Sequence, residues 1–594
     1  MINDSEDSNE KKSALVNVFS QEWKNLEGEK KSFATYTTLF FIAGFIELLT
    51  PLVVGLVFNS IQKEIMTTAQ LYHIIFLISL LLVIDLVFQI IHGLGRVIEE
   101  RTGFLVGRNY TNTKISQVLE LPIKWHKDHH SGDTIDKINK GRGAITRFSQ
   151  SYTFQIIYAI INLFGSAIII LFFDFKAAIA ALIFSFLVLG IIVIIDKKLN
   201  KKYKEINKYE NKASAAIFDY ISNIITVVTL RLKKTVKKEI NKRVIASFQT
   251  EKKAAVLNEI KWSFANISIT IMTVVILAYR AYSDFNNDGI ILIGTLYILY
   301  GYLSTMGRTF FTLAHAYGDI VRYDANFKSA EKIDKEFEKI EEKTVTSLPK
   351  NWEKITIKGL EFKYDQEGKK RHLENINLEI KKGERIALVG ESGSGKSTVL
   401  SLIRGLYEPD KGKIYCDRKM ISNGFHAIGE ITTLIPQDPE IFNNTIKYNV
   451  GMDLSNNKQI MKAIKMAEFE KVVKRLDKGL RTNVLEKGVS LSGGEKQRLA
   501  LARGILAAKD SQIILLDEPT SSVDSINETK IHENLFKKFK GKTIISSIHR
   551  LHLLNKFDRI VFFKRGKIIT QGTLKELKNN KEFRTIIDKY NNKK

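Results

Sequence analysis

Residues 384–406 read ERIALVGESGSGKSTVLSLIRGL, and this stretch decides the fold of the second half of the chain. A short apolar strand, 384–390, runs into Gly390-Glu391-Ser392-Gly393-Ser394-Gly395-Lys396-Ser397, and a helical segment opens at Thr398. The spacing is that of a phosphate-binding loop in the strand–loop–helix context such a loop requires. Its glycines let successive backbone N–H groups curl around phosphate oxygens, and the helix N-terminus adds a positive dipole end. Lys396 supplies a point charge for the β- and γ-phosphates, and Ser397 is placed to ligate Mg²⁺. A nucleotide and Mg²⁺ are therefore the expected small-molecule partners.

Two further stretches complete the chemistry. Residues 513–518, IILLDE, make a buried apolar strand ending in two carboxylates. Such a strand sets Asp517 near the metal and aims Glu518 at a water. An acidic strand end alone is ordinary in α/β domains, but residues 491–498, LSGGEKQR, lie just upstream. There Ser492, Gly493 and Gly494 open a helix and offer a second place where backbone N–H groups face an anion.

Outward from these motifs, short Ile/Leu/Val strands alternate with charged helices from about residue 351 to the C-terminus, the pattern of a soluble α/β domain. A charged helical linker, 328–346, precedes it. The first 310 residues differ: six apolar runs near 34–58, 71–94, 152–173, 176–196, 262–281 and 289–308 are each long enough to cross a bilayer. The segments 95–151 and 197–261 between them are long, polar and rich in Lys and Arg. Loops of that length without structure are rare, so each reads as a pair of helical extensions of its neighbouring spans. The connections 59–70, 174–175 and 282–288 read as short loops. By the positive-inside rule the long segments and both termini are cytoplasmic. Residues 20–32 suit a short interfacial helix with Trp23 at headgroup level. The expected domains are thus a tail and elbow helix (1–33), a six-helix membrane domain (34–327), a linker (328–350) and an α/β cassette (351–594).

The formal charge of +26 does not call for nucleic acid, because much of the excess flanks apolar spans, where Lys and Arg meet anionic lipid. The single cysteine, Cys416, rules out an internal disulfide or a Cys-based zinc cluster. Ionisable residues in or near spans (Glu47, Asp85, His92 and Arg308) are functional candidates because burying them is costly; His92 and Arg308 lie close enough to an interface to snorkel. Aromatic residues such as Phe41, Tyr297 and Tyr300 would suit an amphipathic ligand, although packing is the commoner use of such residues. His126, His129 and His130 form a cluster without a carboxylate or Cys at ligand spacing, which weighs against a metal site.

The phosphate loop, the acidic strand and LSGGE together resemble the ATP-binding cassette family, strongly over 355–580 and in topology over 20–345. The resemblance implies further roles. Tyr364 would stack on adenine. Gln437, in IPQDPEIF, would touch Mg²⁺ and water and report to the membrane domain. Ser521-Ser522-Val523-Asp524 would cross a dimer interface. His549 would act as a switch near the γ-phosphate of the nucleotide whose hydrolysis Glu518 catalyses. Ser492, Gly493 and Gly494 would bind the nucleotide held by a second subunit, so two chains are needed: a homodimer, or a pair with a related half-transporter. The order of domains resembles the exporter branch, the type IV arrangement, with 121–138 similar to a first coupling region and 209–224 lying in a second. The implied activity is ATP-driven export or flipping of an amphipathic molecule (lipid, drug-like compound or peptide) across a plasma membrane. A non-transporting regulator, an ATP-gated channel and an importer built on the same fold stay open as alternatives. Two departures stand out: Cys416-Asp417-Arg418 where relatives carry an acidic-Gly turn, and Leu485 where they often have Gly, with Glu486 and Gly488 kept.

Overall fold

The computed structural model describes residues 13–63, 67–129, 131–340, 348–349, 351–364, 371–438, 440–452, 455–484, 491–580 and 583–584. His130, Leu485, Glu486, Gly488 and residues 341–346 of the linker lie outside the described residues. The chain divides into two compact units: one takes residues up to Leu121 with His129–Lys339, the other Pro122–Asp128 with the chain from Ile340.

The first unit is all helix. α1 (Ala14–Asn25) is a short helix whose exposed Trp23 carries Lys30 4.9 Å above its ring. α2 (Lys30–Glu47) and α3 (Leu49–Gln62) form one bent rod. The bend has a covalent cause: Pro51 has no N–H for the carbonyl of Glu47, and its ring crowds that carbonyl. Tyr302 braces the bend by donating its hydroxyl to the Leu48 carbonyl at 2.6 Å. α4 (Thr68–Glu120) starts in a capping box made by Thr67 and Gln70 and continues far past its apolar stretch.

Beyond α5 (Ile123–Asp128), which belongs to the other unit, α6 (Ser131–Arg147) joins α7 (Thr153–Phe173) through a π-helical turn, Phe148–Tyr152. Arg96 reaches the Gln150 carbonyl in that turn at 2.6 Å, and Ser149 donates to buried Glu22 at 2.7 Å. Asp174 caps α8 (Phe175–Ser222), accepting from the Ala177 N–H at 3.0 Å. α9 (Ile224–Thr229) and α10 (Lys233–Ile245) lead to α11 (Phe248–Asp288) and α12 (Ile293–Glu338). The polar segments 95–151 and 197–261 are therefore helical extensions, as their composition suggests.

Among the described residues, five helical stretches are long and apolar enough to cross a membrane: Lys30–Gln62, Thr68–Glu120, Ser131–Phe173, Phe175–Ser222 and Lys233–Asn287. The sixth expected span falls at the start of α12, whose tyrosines, glycines and Arg308 dilute its hydropathy. The acidic stretch 282–288, expected as a loop, instead continues α11, and the helix stops at Gly289 in the left-handed conformation. Outward-facing side chains such as Leu82, Phe172 and Ile194 are more than half exposed, as lipid-facing positions are. Inside, Asp196 and Lys261 pair at 2.9 Å with both side chains buried, joining α8 to α11.

The second unit is α/β. β1 (Lys354–Phe362), β2 (Leu373–Lys381), β4 (Lys411–Cys416) and β5 (Lys419–Ile421) form an antiparallel sheet in the order β2-β1-β4-β5. β3 (Arg385–Gly390), β6 (Thr432–Ile435), β7 (Ile513–Asp517), β8 (Thr543–Ser547), β9 (Arg559–Lys564) and β10 (Lys567–Gly572) form the larger sheet, in the order β10-β9-β3-β8-β7-β6. β6, β7, β8, β3 and β9 run parallel and are buried on both faces, which is why they read as continuous apolar runs. Helices α13 (Lys396–Ile403), α14 (Gly424–Glu430), α15 (Ile446–Gly451), α16 (Asn457–Met466), α17 (Glu470–Arg475), α18 (Gly493–Ala507), α19 (Ser525–Lys538) and α20 (Leu574–Leu577) complete it. The departing turn at Cys416-Asp417-Arg418 is well anchored. Asp417 adopts φ +56°, and its carboxylate accepts from the N–H groups of Glu353 and Lys354 at 3.1 and 2.8 Å.

Candidate active site

β3 ends at Gly390, and the loop that follows wraps the N-terminus of α13. Gly393 and Gly395 hold φ of +76° and +108°, a conformation L side chains rarely adopt, so the loop's glycines are required by its path. Lys396 is folded back inside, donating to the carbonyls of Gly390 and Glu391 at 2.9 and 3.1 Å. An ammonium has three donors, so one remains for a phosphate oxygen. Burial pushes the Lys396 ammonium's pKa down, while Glu518 and Asp517 pull it back up. Ser394 Oγ is buried in the loop with no partner, a donor awaiting an acceptor. Both observations fit an anionic phosphate.

The ends of the parallel strands bring the remaining groups together, the usual place for a site in an open α/β sheet. Ser397 donates to Asp517 Oδ1 at 2.9 Å. Burial raises the Asp517 carboxyl, the Ser397 bond lowers it, and Glu518 raises it further. Glu518 sits at φ +46°, a strained backbone for a non-glycine residue, and is held from two sides: Gln437 Nε2 donates to one oxygen at 3.1 Å and His549 contacts the other. Hydroxyl, carboxylate and amide oxygens suit a hard cation such as Mg²⁺. No group of three His, Cys, Asp or Glu able to hold a metal occurs among the described residues, so such a cation would draw most ligands from phosphates and water. His126 lies in α5, and His129 follows that helix.

A cavity of about 840 Å³ joins Tyr364, Ser392 to Thr398, Gln437, Glu518 and His549, large enough for a nucleotide. Tyr364 leans over its mouth and donates to Thr398 Oγ1 at 3.1 Å. Sequence reasoning missed Arg371, His372, Glu374 and Arg565, which also line it. His372 packs edge-on against Tyr364 with ring centroids 4.9 Å apart, and Tyr407 does so at 5.2 Å. Lys127 of α5 places its ammonium 5.9 Å from the Tyr364 ring and 5.3 Å from the Tyr407 ring. None of these carries a local motif; they come from turns, the start of β2 and α5, which meet only in three dimensions.

Ser492, Gly493 and Gly494 are not among the cavity's lining residues. Ser492 caps α18 in a box with Glu495, and Arg475 steadies Glu495 at 2.8 Å. At Gly494 a Cβ would come 2.6 Å from the Ser522 carbonyl oxygen, so glycine is needed to let the loop 521–524 approach. Gln497 ties the two together, donating to Ser521 Oγ at 2.7 Å and accepting from the Ser522 N–H at 2.8 Å. Of the membrane candidates, Glu47 ends α2 half-buried, His92 stacks on Phe88, and Asp85 and Arg308 are exposed. Arg308 lies within electrostatic reach of Glu47. Phe41, Tyr297 and Tyr300 are each more than a third exposed.

The ABC transporter transmembrane region family matches residues 33–310, and the ABC transporter family of ATP-binding domains matches 373–521. ABC transporter B family member 6 of Dictyostelium discoideum is 25% identical over 562 residues, covering 90% of this chain and 80% of that protein. Heavy metal tolerance protein of Schizosaccharomyces pombe is 29% identical over 482 residues, 79% of this chain and 56% of its own length. ABC transporter B family member 2 of Dictyostelium discoideum is 39% identical over 226 residues, 38% of this chain but 16% of that larger protein. A solved bacterial Atm1-family ABC exporter with ATP bound has the same fold, with a TM-score of 0.82 at 21% identity over 94% of this chain and 99% of its own. With its membrane region and its ATP-binding domain fused in one polypeptide, the chain belongs to the ABC transporter family and has the fold of that solved exporter.

Proposed function

We propose that two copies of the chain form an ATP-driven exporter or flippase for an amphipathic molecule (lipid, drug-like compound or peptide), with the cassettes in the cytoplasm of a plasma membrane. One observation carries the reading. Lys396, Ser397, Gln437, Glu518 and His549 line one cavity, with Asp517 hydrogen-bonded to Ser397 beside it, whereas Ser492, Gly493 and Gly494 are not among its lining residues. The chain thus holds one half of a nucleotide site and, elsewhere, an anion-binding helix start suited to complete the site of a second copy.

In this reading Tyr364 stacks on the base, and the backbone N–H groups of 392–398 with Lys396 grip the phosphates. Ser397, Asp517 and Gln437 would hold Mg²⁺, which supplies charge neutralisation at the β- and γ-oxygens when bound. Glu518 takes a proton from the attacking water, and His549 and Gln437 keep its carboxylate oriented. Closure of two cassettes on two nucleotides biases the membrane helices to one of two states, and loss of the γ-phosphate contacts releases them.

The test is Mg²⁺-dependent ATP hydrolysis by the purified chain in lipid nanodiscs, with Glu518→Gln as the blank. Turnover at least ~100-fold above the blank is expected, the usual scale for a positioned general base. Equal rates would sink the assignment of Glu518. ATP bound without turnover in the wild-type chain would mean that the homodimer is wrong and a partner chain is missing. Uptake of labelled lipid or dye into inverted vesicles would support export, whereas an ion current would favour a channel.

A further inference from the structure

Beside Glu518 lies a second recess of about 240 Å³, with no phosphate-loop residue in its lining, that the reading above does not use. Its walls include Glu518 and His549, Glu528 and His532 of α19, Ser547 at the end of β8, and Arg550. Two of these are almost wholly buried and unsatisfied. His532 and Ser547 are each 1% exposed, and His532 Nδ1 and Ser547 Oγ have no hydrogen-bond partner in the protein. Leaving such atoms dry is costly, so a molecule that donates and accepts hydrogen bonds belongs there.

The charges in the recess limit what that molecule is. Glu528 accepts from Thr520 at 2.9 Å and from Arg550 at 3.0 Å, with His552 Nε2 at 3.6 Å, so its carboxylate is already matched by the Arg550 cation. The Phe536 and Phe557 rings, centred 5.8 and 6.4 Å from the His532 ring, wall off its other side. The volume admits several waters, each of which needs roughly 10–15 Å³ of such space and two to four polar partners.

We propose that this recess is an ordered-water site anchored by His532 and Ser547, and that its waters carry away the proton Glu518 receives. The proposal rests on Glu518 acting as the base. ATP and water yield ADP, phosphate and a proton. Glu518 binds that proton as the O–H bond of the attacking water breaks. It returns to the carboxylate by passing the proton to a recess water, which hands its own on toward solvent, so no atom is consumed. His532 and Ser547 touch none of the reacting atoms and are positioning residues. Without them the water chain loses its fixed points, Glu518 resets slowly and kcat falls, while nucleotide binding is untouched.

Two measurements test this on the full chain in nanodiscs. In a high-resolution nucleotide-free structure, ordered waters should lie within hydrogen-bond reach of His532 Nδ1 and Ser547 Oγ; a dry recess overturns the site, whether or not the chain hydrolyses ATP. In steady-state ATPase assays, His532→Leu and the milder Ser547→Ala should each lower kcat about tenfold or less, with KM for ATP unchanged and a changed solvent deuterium isotope effect. His532→Gln should restore most of the rate. Wild-type kcat in both apolar variants, or a loss that His532→Gln does not rescue and that raises KM in parallel, overturns the relay. Ordered waters in a wild-type chain that never turns over would instead reject the hydrolytic reading and leave the water site standing.

Discussion

Glu22 offers a prediction whose size follows from its surroundings. It lies on α1 at 1% exposure, accepts one hydrogen bond from Ser149, and pairs with no cation among the described residues. Burial pushes its carboxyl up to about 7 from an ordinary value of 4.5, with the Ser149 bond pulling slightly the other way. An acid whose pKa is raised on folding favours the folded state most below its unfolded value and loses that contribution as pH rises through the folded one. Between 4.5 and 7 the loss grows with pH, reaching about 2 kcal/mol at pH 6 and about 3 kcal/mol at pH 8. Glu22→Gln keeps an acceptor for Ser149 and cannot titrate. In nanodiscs the variant should therefore melt above wild type at pH 8. The gap should narrow by about 1 kcal/mol, or roughly 2–4 °C, at pH 6 and vanish near pH 4.5. Melting temperatures of the two proteins that move in parallel from pH 6 to pH 8 would refute the reasoning, because Glu22 would then be as well solvated folded as unfolded.

Three other outcomes are expected. Lys396→Ala should weaken ATP binding by about tenfold to a hundredfold, the scale of a lost charge-assisted contact; fluorescent-nucleotide titration would contradict us by returning the wild-type affinity. Gly494→Ala drives a methyl group against the Ser522 carbonyl. It should cut turnover about tenfold or more while ATP affinity stays within about twofold, and wild-type turnover would show that the loop 521–524 yields freely. Tyr302→Phe strands the Leu48 carbonyl at the Pro51 bend and should cost about 1–3 kcal/mol, read as a lower melting temperature; no change would mean another donor takes over.

The cassette was legible because its chemistry is written in short contiguous runs. One strand and one loop place Gly390 to Thr398, and one strand end places Asp517 and Glu518, so local spacing suffices. Gln437 and His549 carry less local information and were placed by family resemblance. Arg371, His372, Glu374 and Arg565 escaped notice because they sit just before β2, at its start and in the β9–β10 turn, none with a signature of its own, and only the sheet order brings them to one cavity. In the membrane unit the apolar runs and the helical character of the polar segments were readable from length and composition. The fate of 282–288 was not, because its acidic residues suit an exposed helix end as well as a loop, and Gly289, not the acids, stops the helix. Nor does any local pattern say that Pro122–Asp128 packs with the cassette.

α5 leaves the ribosome long before the rings of Tyr364 and Tyr407 that its Lys127 faces. At roughly 5–20 residues per second the delay is on the order of tens of seconds. Through that interval the helices on either side can already be inserted in the bilayer, yet the segment between them has no finished partner. A nascent chain stopped before residue 340 should expose 122–128 to protease, and protection should come only once β1, β2 and α13 have been made. The membrane half of this protein thus carries one short piece whose folding waits for the other half to be translated.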